Sequence, residues 1–160
     1  MIDQQSPEIK KYLAKAKDDF DKNSNKLKKL FWDENLVEKQ MKLHVEVFQK
    51  IDCLDCANCC KTTPTTVSSQ DVKRISKFLG ISKKQFMRKY VMDDLTGDLV
   101  LNFVPCTFLN DDNTCAIYEV RPSTCIKYPL TDDSEFKRRP KWNAKNTMIC
   151  PASLLVVDGL

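Results

Sequence analysis

Apolar residues recur at helical spacing near the start of the chain. Ile9, Tyr12, Leu13, Ala16 and Phe20 form one stripe. Ser6 is placed to cap that helix, Pro7 suits its first position and Glu8 complements its dipole. The spacing therefore predicts a helix over 6–20, broken by the polar run Asp21-Lys22-Asn23-Ser24-Asn25. A longer helix is expected from about Lys26 to Lys50, with Leu27, Leu30, Phe31, Val37, Met41, His44 and Phe48 on one face. Two such helices joined by a short loop would bury their stripes against each other and against the rest of the fold.

Beyond residue 60 the pattern changes. Lys61-Thr62-Thr63-Pro64-Thr65-Thr66-Val67 has the β-branched and Pro character of an extended loop. Ser68 or Ser69 begins a helix through about Leu79, with Val72, Ile75 and Leu79 inward and Gly80 as its stop. Ser82 begins another, Lys83 to Tyr90, with Phe86 and Tyr90 apolar. Residues 92–104 read as a hairpin turning at Thr96-Gly97-Asp98, with Leu99, Leu101 and Phe103 alternating. From Pro105 onward the chain reads as irregular. The expected fold is an α-rich, irregular α+β protein. A helical hairpin over 1–51 precedes a small metal-stabilised cysteine-cluster domain over 52–160.

Composition narrows the function. The 160 residues carry 26 basic and 22 acidic side chains, a net charge of +4, and the signs alternate along the chain. That is a solvated surface, and no nucleic-acid partner is expected. The N-terminus lacks the apolar core of a secretion signal, and no apolar run approaches the roughly 20 residues that span a bilayer. A cytoplasmic location with no membrane contact follows as the expectation. With three glycines there is no Rossmann fingerprint or P-loop.

The chemistry lies in eight cysteines. Cys53, Cys56, Cys59 and Cys60 form a C-x2-C-x2-C-C run, and Cys106, Cys115, Cys125 and Cys150 follow. In a reducing compartment such crowding favours metal binding over disulfides. Thiolates are soft ligands for zinc or for iron–sulfur clusters. C-x2-C-x2-C opens the bacterial ferredoxin run, and Cys150-Pro151 repeats its closing dipeptide. The run has no Gly to make a zinc-knuckle turn, although Ala57 and Asn58 can stand in. Iron–sulfur, as a four-iron cluster, is therefore placed ahead of zinc. Adjacent Cys59 and Cys60 would face opposite ways in an extended segment and so serve two centres. Eight cysteines fill two four-coordinate sites, and one site with four spare thiols fits the count equally. His44, the only histidine, reads as a packed residue and not as a ligand.

Three further features complete a pattern. They are the Pro-Cys-x-Phe-Leu approach at Cys106, the block Cys115-Ala116-Ile117-Tyr118-Glu119-Val120-Arg121-Pro122-Ser123-Thr124-Cys125, and the late Cys-Pro. Together with the CLDCANCC run they resemble the YkgJ-like cysteine-cluster family, the zinc- or iron-chelating CxxCxxCC domain, over about residues 53–151. The resemblance implies a cysteine-ligated metal centre and names no reaction. Within that block Pro122 stiffens the loop between two cysteines. Arg121 either offsets the negative charge of a thiolate centre or makes a surface ion pair, and Tyr118 is read chiefly as packing. Besides an enzyme using the cluster as a Lewis acid or radical initiator and a metal-handling protein, two functions are placed first. One is a metal-cluster protein with a redox or accessory role. The other is a zinc-stabilised, non-catalytic interaction module docking a protein partner through the N-terminal helices.

Overall fold

The computed structural model describes residues 6–160. The expected hairpin begins at residue 1, and the expected absence of a secretion signal also bears on residues 1–5. Both expectations lie in that part outside the described residues. The described residues fall into two compact units, one within Met1–Cys56 and Pro129–Leu160, the other Ala57–Tyr128.

In the first unit, α1 (Pro7–Asp18) starts as its sequence dictates. Ser6 Oγ accepts the Ile9 N–H at 3.2 Å, and Pro7 occupies the first turn. The polar run after it does not break the helix. Asp19 makes only a slight offset, and α2 (Phe20–Lys29) runs through it. The reason is periodic: Phe20, Asn23 and Leu27 fall on one side and pack inward, so the polar residues simply face water. The expected long helix is instead split. A 3₁₀ turn, Leu30–Trp32, is followed by extended Asp33, whose Oδ1 accepts the Asn35 N–H at 2.9 Å in an Asx turn. Helix α3 (Leu36–Phe48) then begins with a new phase. It buries Leu36, Gln40 and Val47 and leaves Met41 exposed, as the 3₁₀ turn leaves Phe31, although both were expected on the apolar face.

The C-terminal region is not irregular throughout. A 3₁₀ turn at Phe136–Arg138 leads into α9 (Pro140–Thr147), and α10 (Pro151–Gly159) follows. Helix α10 buries Ala152, Ser153, Leu154, Val156 and Val157, so it is apolar nearly all round and forms the centre of this unit. Val157 joins Leu27, Phe136 and Ala144, while Ala152 and Val156 join Val47. Lys26 Nζ donates to the carbonyls of Val157 (2.8 Å) and Asp158 (3.0 Å), satisfying the end of α10. The N-terminal helices therefore bury their stripes largely against helices from the other end of the chain.

Short helices carry the cysteine run: α4 (Cys53–Cys56) in the first unit and α5 (Asn58–Thr62) in the second. The second unit continues with α6 (Ser69–Phe78), whose capping box pairs Ser68 with Asp71, and α7 (Lys83–Tyr90), whose capping box pairs Ser82 with Gln85. Gly80, at φ +66°, stops α6 in the left-handed region that favours glycine. Strands β1 (Val91–Asp93) and β2 (Leu99–Leu101) form the expected hairpin, with Val91 opposite Leu101 and Asp93 opposite Leu99. Its outermost expected apolar residue, Phe103, is exposed because β2 ends at Leu101. Val67, Val72, Ile75, Phe86, Leu101, Phe108 and Ile117 make the core, and α8 (Ser123–Lys127) ends the unit. The expected α-rich, irregular α+β class holds, with helices at the N-terminus.

Candidate metal centre

All eight cysteines are thiols, none in a disulfide. The C-x2-C-x2-C-C run is not extended. Ala57, at φ +44°, makes the turn between α4 and α5, which puts the left-handed residue one position before Asn58. Because Cys59 and Cys60 lie in a helical turn, their sulfurs do not face opposite ways but sit 4.0 Å apart.

Within the second unit, Cys60, Cys106, Cys115 and Cys125 form a tetrad from distant parts of the chain. Every pair of the four lies within electrostatic reach. The backbone assembles it: the Cys106 N–H donates to the Cys60 carbonyl at 2.8 Å. A bridge between Leu109 and Cys115 closes the loop that ends at the third of these cysteines. In the first unit Cys150 lies within electrostatic reach of Cys53 and Cys56.

Backbone N–H groups are aimed at the sulfurs. Phe108 and Leu109 donate to Cys106, Ile117 to Cys115, and Ala152 and Ser153 to Cys150. Cys150 is the N-cap of α10, where the helix dipole favours negative charge. Despite these donors, burial dominates. It pushes Cys106 and Cys115 up, Cys125 up to about 11 and Cys150 up to about 12. The Cys59 thiol, together with burial, raises Cys60 strongly. Without a cation these are protonated, half-buried thiols with hydrogen-bond donors already arranged around them. A soft metal ion reverses that balance by stabilising thiolate outright. The donor set therefore fits zinc or iron. Among the described residues, no three Cys, His, Asp or Glu side chains stand close enough to hold one metal ion as arranged.

The supporting residues have definite places. Arg121 stacks on the Tyr118 ring, Cζ 3.9 Å from its centroid, and Nη1 donates to the Tyr118 carbonyl at 2.9 Å. Arg121 is also within electrostatic reach of Cys115, where it favours thiolate. Buried Pro122 is the residue before α8, the helix that carries Cys125. His44 is half-buried, with Nδ1 2.9 Å from Thr131 Oγ1 and its ring against Phe48.

Sequence reasoning missed Asp71, which is 1 % exposed. Its carboxylate accepts from Ser68 N and Oγ, Arg74, and Ser123 N and Oγ. Burial opposes the charge, but those bonds outweigh it and hold the carboxyl well below its ordinary range. Thr65 was missed as well: its Oγ1 lies 3.7 Å from Cys125 Sγ. The only sequence signal for Asp71 was its place three residues after Ser68 in a capping box.

The family model described as CxxCxxCC, "putative zinc- or iron-chelating domain", matches residues 52–144, more than half of the chain. The chain belongs to this family, a class defined by its cysteine ligands. The match takes in the whole tetrad and leaves Cys150-Pro151 outside. No curated protein and no solved structure matches the chain.

Proposed function

We propose that Cys60, Cys106, Cys115 and Cys125 ligate an iron–sulfur cluster of the four-iron type, and that the protein serves a redox or accessory role in the cytoplasm. One observation carries this reading. Four thiols are mutually within electrostatic reach, yet no three are close enough to share a single ion. A tetrahedral zinc needs its sulfurs within about 4 Å of one another. A cluster of several iron and sulfide atoms spans a wider shell of thiolates. When bound, such a cluster supplies one-electron chemistry. The chain's own contribution is to hold four sulfurs, donate N–H groups to two of them, and place the Arg121 cation beside Cys115. We also include among the ligands Cys53, Cys56 and Cys150, a second thiol group within the first unit, and, separately, Cys59 of the second.

A zinc-stabilised interaction module is the second reading, favoured by one distance. The 4.0 Å between the Cys59 and Cys60 sulfurs suits two ligands of one tetrahedral ion. Single Cys→Ser variants test the grouping through iron, zinc and sulfide per chain. Cys106→Ser, Cys115→Ser and Cys125→Ser should each remove the same share of iron and sulfide, and Cys150→Ser a different share. Equal loss of zinc, with no sulfide in the parent protein, would establish the second reading instead.

A further inference from the structure

Both tryptophans are exposed, Trp32 at 83 % and Trp142 at 65 %. Tryptophan is rarely left so open, and it is over-represented where surfaces bind. Trp142 lies on a groove of about 370 Å³ lined by Lys28, Arg138, Arg139, Pro140, Lys141 and itself. The groove lies wholly within the first unit, between α2 and the start of α9. Lys145 adds its Nζ 5.0 Å from the centre of the Trp142 ring.

The charge here is massed in one stretch of the chain and added to by folding. Lys137, Arg138, Arg139, Lys141 and Lys145 already lie within nine positions with no acid among them, and Lys28, more than a hundred residues away, joins them in the fold. In the fold, Lys28, Arg138, Arg139, Lys141 and Lys145 meet two acids. Asp133 pairs with Arg139 at 2.8 Å, and Glu135 pairs with Arg138 at 3.3 Å. Set against those two paired carboxylates, the five cations leave an excess of three. The expectation that no nucleic acid binds rested on the interleaving of signs over the chain as a whole, which does not hold in this stretch.

We infer that this groove binds single-stranded nucleic acid, with phosphates on Lys28, Arg138 and Lys141 and a base stacked on Trp142. A cationic track beside an open aromatic face is the minimal apparatus for sequence-tolerant strand binding. An acidic protein segment would engage the cations but has no planar group to cover the ring. A membrane surface would need a broad apolar face around the tryptophan, and four of the six residues lining this groove carry a positive charge. The inference is independent of the metal and of the redox reading.

The test is fluorescence anisotropy of a labelled oligo(dT) and a labelled oligo(U) with the full chain as purified. Polyglutamate serves as competitor, and phosphatidylserine vesicles are assayed by co-sedimentation. Binding should weaken with salt at a log–log slope near about 2 for three phosphate contacts. Trp142→Ala should weaken binding about tenfold with the salt slope unchanged, and Trp142→Phe should restore part of it. Lys28→Glu with Lys141→Glu should weaken binding and lower the slope by about 1 or more. Circular dichroism and metal content should match the parent in every variant. No strand binding, strand binding indifferent to Trp142, equal competition by polyglutamate, or binding to vesicles alone would each overturn the proposal.

Discussion

Asp71 Oδ1 accepts two hydrogen bonds from Ser123, one from its backbone N–H at 3.0 Å and one from its hydroxyl at 2.8 Å. Ser123 opens the helix that carries Cys125, so a buried carboxylate on α6 fixes where that ligand stands. Arg74 extends the clasp. Its Nη2 donates to Asp71 at 2.6 Å and to the Arg121 carbonyl at 3.1 Å. The Cys115–Cys125 loop is thus held from outside the cysteine pattern, much as outer residues orient metal ligands elsewhere.

Removing that acceptor should loosen the loop. Asp71→Asn leaves Ser68, Arg74 and Ser123 donors facing an amide, and should cost about 2–3 kcal/mol of metal-free stability. Ser123→Ala keeps the backbone bond and should cost about 1 kcal/mol or less. Urea unfolding monitored by circular dichroism gives both values. Equal, negligible losses would contradict the clasp.

Asp71 also sets an acid limb. Its folded carboxyl titrates below the unfolded value of about 3.9, so the folded state binds that proton less readily. The resulting stability is fully present above roughly pH 4–5 and is lost as pH falls through the folded value. The metal-free protein should lose stability steeply below about pH 4, and Asp71→Asn should flatten that limb. Unfolding midpoints measured across this range decide the matter.

The thiols predict an alkaline limb of opposite sign. Cys125 is pushed up to about 11 and Cys150 up to about 12, chiefly by burial. Their contribution is present below the unfolded thiol value of about 8.5 and is lost as pH rises through the folded values. Metal-free stability should therefore fall from about pH 9 upward. Metal loading should show the reverse trend, tightening with pH and releasing protons, because each ligand must give up its proton. Isothermal titration with cadmium in buffers of different ionisation enthalpy counts those protons.

Thr65 offers a finer probe. Its hydroxyl accepts from the Cys125 thiol at 3.7 Å and donates to the sulfur once that thiol has lost its proton. Thr65→Val keeps the shape and removes the hydrogen bond. With a cluster bound, the midpoint potential should move to a more negative value, since hydrogen bonds to the sulfurs stabilise the reduced, more negative form. With zinc bound, affinity should drop roughly tenfold. An unchanged potential and affinity would remove Thr65 from the site.

Some of this architecture is legible in the chain and some is not. Ser6-Pro7-Glu8, Ser68 with Asp71, and Ser82 with Gln85 state their helix starts locally, and Gly80 states a stop. Helix α10 is hidden because Ala152, Leu154, Val156 and Val157 give no polar face and hence no phase to read. The run Asp21–Asn25 resembles a breaker, yet Asn23 and Leu27 keep the helical period through it. The cysteines announce a metal ligand set and the family. Their grouping depends on Cys60 meeting Cys106, 46 positions away, and no local pattern contains that. Asp71 looks like an ordinary cap until its partner Ser123 arrives from the far side of the loop.

The most direct test of the central claim is an anaerobic purification of the full chain, with a visible spectrum and with iron, zinc and acid-labile sulfide measured per chain. A cluster on Cys60, Cys106, Cys115 and Cys125 predicts a brown protein with about four iron and four sulfide for that centre, and loss of the colour in Cys125→Ser. A colourless protein holding zinc and no sulfide would contradict it.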